Sequence, residues 1–172
     1  MSQNSPTSCP GENPGRPLSD LGYRFEEQAV LTLSRYYFAS FAAPQSQGWL
    51  GAVRTSKELF GTKAGPNVAV GVLEAVQAMR STRQSCFVFN SPQCPCCAIY
   101  VTSHEQSFMS TLRALARRNQ EAATAHANLL CEFGDVSDFL SALCALLCIL
   151  QPDKSDIWRQ TELEMEELHA LR

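Results

Sequence analysis

TSHEQSFMSTLRALARRNQEAATAHANLLCEFG, residues 102–134, decides the fold. Phe108, Leu112 and Leu115 recur at helical spacing. Thr102 and Glu105 have the spacing of a capping box, in which the hydroxyl and the carboxylate each take up a free backbone N–H at a helix start. Arg113, Arg117 and Arg118 gather at the far end, where the helix dipole favours positive charge. The alanine-rich stretch 120–134 then predicts a second, tightly packed helix ended by Gly134. Only "RRNQ" joins the two, so they are expected to form an antiparallel hairpin.

The same spacing recurs outward from this stretch. "LSDLGYRFEEQAVLTLSRYYFASFAA" predicts a first helix capped by Ser19 and stopped by Pro44. A shorter helix over 46–61 ends at Gly61, and another starts at Pro66, a residue tolerated in a first helical turn. After the hairpin, Asp135 or Ser137 caps "FLSALCALLCIL", residues 139–150, and Pro152 ends it. That run is shorter than the roughly 20 residues a bilayer requires, so it reads as a buried helix and not as a membrane span. A last helix is expected from Ser155 onward. The fold class is therefore all-α: a compact helical bundle of about six to seven helices with one short extended segment, a cysteine knuckle and a disordered N-terminal tail. Residues 1–17, with four prolines and two glycines among polar side chains, form the tail, and 18–172 form a single helical domain.

Composition limits function. Charged residues make up 18% of the 172, and the net charge is −3, which gives the chain as a whole no nucleic-acid signature. The charge is layered: residues 80–118 carry five arginines against Glu105 alone, whereas 119–172 carry ten acidic and three basic side chains. The two regions are expected to attract each other within the fold or to be solvated. Binding of nucleic acid would require Arg80, Arg83, Arg113, Arg117 and Arg118 to cluster in space. No basic start followed by an apolar run opens the chain, so a cytoplasmic location is expected, with the eight cysteines mostly reduced. Low charge content predicts a protein partner or a homo-oligomer. No dinucleotide fingerprint, phosphate loop, nucleophile elbow or zinc-protease motif is present, so an enzyme is not the leading expectation.

One stretch carries chemistry. "SCFVFNSPQCPCC", residues 85–97, joins a short apolar run to a turn with three cysteines in four positions. Cys94 and Cys97 are spaced to point two sulfurs at one spot, half of a tetrahedral zinc shell, and the helix start that follows favours thiolate. The remaining ligands would be Cys131 first and Cys86 second. Cys96, His104 or a second chain are the other sources of a fourth ligand. In the hairpin, Cys131 is expected to return beside Cys94 and Cys97. Zinc is the expected metal, with an iron–sulfur cluster as the alternative. The leading expectation is a metal-stabilised regulatory, adaptor or accessory factor working through protein contacts. The alternative is a thiol redox enzyme or sensor using Cys94 and Cys97. The order of extended run, C-x-x-C and helix resembles the opening of a thioredoxin or glutaredoxin active site over about 30 residues. Only helices follow it, so that fold is not expected here.

Overall fold

The structure, a computed structural model, describes residues 15–154. The expected helix from Ser155 and most of the expected tail lie outside the described residues. The fold is an all-α bundle, as the helical spacing predicts. Helix α1 is Phe25–Ala42, α2 is Gly48–Thr82, α3 is the single turn Pro95–Ala98, α4 is Ser103–Ala116, α5 is Gln120–Leu130 and α6 is Ser137–Leu150. Strand β1, Arg16–Pro17, pairs antiparallel with strand β2, Tyr100–Val101. Residues 16 and 17 thus belong to the domain and not to the tail.

Helix α2 packs between α1 and α6, and α4 packs on α5. The core holds Val30 and Leu33 of α1, Val72, Val76 and Met79 of α2, Phe108 and Met109 of α4, and Phe139, Leu143 and Leu146 of α6. The Tyr37 hydroxyl donates to the Ala69 carbonyl at 2.8 Å, tying α1 to α2. Burial pushes its pKa up to about 12.

Four boundaries differ from expectation. Residues 18–21 form a separate 3-10 turn that ends where Gly22 takes φ +57°, so α1 begins at Phe25 and Ser19 does not cap it. The expected break at Gly61 is present, but the helices on either side run on as one kinked element. Gly61 there has φ +76° and ψ 174°, a conformation closed to side-chain-bearing residues in practice. Helix α5 is ended not by Gly134 but by two left-handed residues, Glu132 at φ +56° and Phe133 at φ +60°. Finally, the Asp135 side chain does accept the Ser137 amide, but Val136 holds the cap position of α6.

The hairpin is present. Arg118 takes φ +60°, and the Asn119 side chain accepts the Ala122 amide at 2.9 Å, closing one helix and opening the next within a few residues. Its antiparallel sense is visible at Arg83. This residue meets His104 of the first turn of α4 at 3.3 Å and also donates to the Leu130 carbonyl at the end of α5.

Candidate functional site

The extended run expected at 86–90 is not a strand. Residues 84–90 form an irregular segment, and four of its amides go to side chains. The Gln84 and Ser85 amides donate to Glu132 at 3.0 and 3.2 Å, the Val88 amide to His104 Nδ1 at 2.9 Å, and the Asn90 amide to Glu105 at 3.0 Å. Ring packing adds to this. Phe87 stacks on Phe38 of α1 with centroids 4.0 Å apart, and Phe89 lies 5.7 Å from the same ring. The segment is thereby fixed on the bundle, and it delivers the chain to the cysteines.

Cys94 opens the one-turn helix α3 that Pro95 starts, and its carbonyl accepts the amides of Cys97 at 3.1 Å and Ala98 at 2.8 Å. That tight turn brings the sulfurs of Cys94 and Cys97 to 3.2 Å. Both residues are partly exposed, and Cys96 between them is exposed.

Under this turn lies the most demanding electrostatic feature of the molecule. Arg35 of α1 is 3% exposed and Glu105 of α4 is 1% exposed, and the two form a forked ion pair. Arg35 Nε donates to Glu105 Oε1 at 2.7 Å and Nη2 to Oε2 at 3.0 Å. The other edge of the guanidinium holds the backbone just after the cysteines: Nη1 donates to the Ala98 carbonyl at 2.8 Å and Nη2 to the Tyr100 carbonyl at 2.5 Å. Glu105 is equally occupied, since it also accepts the amides of Asn90 and Thr102. Asn90 Nδ2 donates to the Tyr100 carbonyl at 2.8 Å. A buried ion pair is tolerated when the other hydrogen-bonding groups of its members are taken up; here four Arg35 N–H groups and both Glu105 oxygens have partners. The capping box expected from Thr102 and Glu105 is present, with Thr102 Oγ1 accepting the Glu105 amide at 3.2 Å. Its carboxylate has the second task of holding Arg35.

The expected ligands are placed as follows. Cys94 and Cys97 come together. Cys131 returns to the level of the α4 start, as the hairpin requires, but it faces the core at 1% exposure beside Arg83 and Glu132. Burial pushes its thiol up to about 11. Cys86 is exposed, on the irregular segment. His104 turns both ring nitrogens to other groups, the Val88 amide and Arg83. Among the described residues no three His, Cys, Asp or Glu side chains are grouped to hold a metal ion. Among the described residues Cys94 and Cys97 stand together as a pair.

Sequence reasoning missed Arg35 and Asn90. Arg35 carried one legible signal, a lone cation inside the aromatic run "SRYYF" of an otherwise apolar helix face. Asn90 carried none.

Of the arginines of the middle region, Arg83 and Arg113 are engaged within the fold, and Arg80, Arg117 and Arg118 are exposed. Arg83 serves the α5 end, Arg113 pairs with Glu27 at 3.0 Å, and Arg80 lies 4.0 Å over the Phe41 ring. Among the described residues no helix is long and apolar enough to cross a membrane. The chain matches no family model, no curated protein and no solved structure.

Proposed function

We propose that the protein works as a thiol–disulfide redox protein, with Cys94 and Cys97 as the reacting pair and a protein or small-molecule thiol as the exchange partner. The observation that carries this reading is the 3.2 Å approach of two partly exposed sulfurs on a turn anchored from beneath. A disulfide joins sulfurs about 2.05 Å apart, so closure needs a movement of about 1 Å and no refolding. In a cytoplasm, where thiols are kept reduced, the resting form would be the dithiol, and oxidation would be the signal or the turnover step. The test is direct. Purified reduced protein is treated with oxidised glutathione and mapped by mass spectrometry. The expected product is an intramolecular Cys94–Cys97 disulfide that dithiothreitol reverses. A glutathione adduct on Cys96 without that disulfide would reject the reading.

A second reading, a zinc-stabilised adaptor, draws on the same two sulfurs. Two thiolates supply half a tetrahedral shell at Zn–S distances of about 2.3 Å, and a second copy of the chain would supply the other half. It predicts zinc at half-integral stoichiometry and a dimer that chelator dissolves. An iron–sulfur cluster would instead colour the protein.

A further inference from the structure

We infer that the buried Arg35–Glu105 pair sets the redox equilibrium of the dithiol, as a pair of positioning residues. The inference rests on the thiol–disulfide reading above. The geometry supports it from both sides of the turn. Ahead of the cysteines, Glu105 holds the Asn90 amide. Behind them, Arg35 holds the Ala98 and Tyr100 carbonyls, and Glu105 holds the Thr102 amide. The chain from Asn90 to Thr102 therefore leaves and re-enters one buried ion pair, with Cys94 and Cys97 on the loop between. The loop's ends cannot separate without exposing or stranding a buried charge.

The exchange itself is balanced. One thiolate of the pair attacks oxidised glutathione, forming a mixed disulfide and releasing a glutathione thiolate with the bonding electrons. The second thiol, losing its proton to solvent, then displaces the other glutathione. Counted from the dithiol, the pair has lost two electrons and two protons, and the two released glutathione thiolates take up protons from solvent to give two reduced glutathiones. The second step is intramolecular, and its equilibrium depends on how often the second sulfur lies within reach of the first. A clamp that keeps both ends of the turn in place raises that effective concentration. Loosening it allows the sulfurs to separate, so the disulfide is disfavoured and the pair becomes the stronger oxidant.

Arg35→Lys keeps the charge and replaces a planar fork by a point donor, which cannot hold Glu105 and two carbonyls together. Glu105→Gln keeps the shape but places an amide N–H₂ where each carboxylate oxygen now accepts two donors. Full-length protein is equilibrated in mixtures of reduced and oxidised glutathione, and the Cys94–Cys97 disulfide is quantified by mass spectrometry. Both variants are expected to lower the equilibrium constant by about tenfold, with far-ultraviolet helicity retained. Glu27→Gln, which breaks the Arg113 pair away from the turn, is expected to change it less than twofold. Folded variants with constants equal to or above that of the parent would overturn the clamp. If either variant does not fold, the other decides by the same readout: a fall supports the clamp and no fall overturns it. Parent protein that forms no Cys94–Cys97 disulfide at any glutathione ratio would reject the dithiol reading itself.

Discussion

His104 shows how one side chain can be fixed in a single protonation state. Its Nδ1 accepts the Val88 amide, and its Nε2 lies 3.3 Å from Arg83 Nη2. With Nδ1 accepting, the neutral ring carries its proton on Nε2; a second proton on Nδ1 would break the Val88 bond and leave a charged ring beside the Arg83 guanidinium. Burial first, and then Arg83, lower its pKa below the ordinary value, with Glu132 opposing them weakly. The folded state therefore prefers the neutral ring. The contribution is fully present above the unfolded value of about 6.5 and is lost as pH falls through the lowered folded value. Melting curves between pH 8 and pH 5 are expected to show a larger fall for the parent than for His104→Asn, whose side-chain oxygen can still accept the Val88 amide. Equal falls would remove His104 as the source. Glu132, whose pKa is lowered chiefly by the Ser85 hydroxyl, titrates below the ordinary carboxylate range and so acts in a separate, more acidic window. Cysteine reactivity is a second readout at this scale. Exposed Cys86 and Cys96 are expected to be alkylated first at pH 8, and Cys131, with its thiol pushed up to about 11 and 1% exposed, among the last. Peptide mapping after timed iodoacetamide treatment checks the order. The site was half legible in sequence for a physical reason. C-x-x-C spacing fixes a local turn, so Cys94 and Cys97 were readable. The direction in which Cys131 points depends on how a whole helix rotates against the core.

Elements were more legible than the bonds that anchor them. Helical spacing and a capping box suffice to read α4 and the hairpin, because both are local. Residues 85–90 were read as extended from their aromatic and β-branched content. That content was serving ring packing on Phe38, while the amides were taken by Glu132, His104 and Glu105 from elsewhere in the chain. The two left-handed residues that end α5 were unreadable for a similar reason. Glycine is the usual left-handed residue, so Gly134 drew the boundary. Instead, Glu132 is held in that conformation while its carboxylate serves the Gln84 and Ser85 amides. Two stability predictions belong here. Glu105→Ala leaves Arg35 buried and unpaired and is expected to cost about 3–5 kcal/mol in urea unfolding. An Arg35→Met, Glu105→Met double variant is expected to recover part of that cost, since it buries no charge. Gly61→Ala meets no neighbour but must adopt φ +76°, so strain alone is expected to cost about 1–3 kcal/mol.

For the whole molecule, the layered charge divides between internal and solvated roles. Of the five arginines of residues 80–118, Arg83 and Arg113 are engaged within the fold, whereas Arg80, Arg117 and Arg118 are exposed. The aromatic residues provide the continuity. Phe139 of α6 lies 5.5 Å from Phe108 of α4, Phe108 lies 6.4 Å from Phe38 of α1, and Phe38 stacks on Phe87 beside the dithiol segment. This file of rings links the α1–α2–α6 layer to the α4–α5 hairpin and reaches the base of the candidate site. Phe139 is fully buried, so Phe139→Ala removes the ring and leaves a cavity at the junction, at an expected cost of about 3–5 kcal/mol. That is a large share of the roughly 5–15 kcal/mol that holds a typical domain together. Because the file joins both layers, the loss is expected to appear as one cooperative transition at lower urea concentration, read identically by helical circular dichroism and by the accessibility of buried Cys131 and Cys144. Phe133→Ala is the control. Its ring is 77% exposed, and its removal is expected to change stability by less than about 0.5 kcal/mol. Two separated transitions in Phe139→Ala, with Cys131 at the end of the hairpin labelled before the helical signal falls, would show that the two layers unfold independently and that the ring file does not couple them.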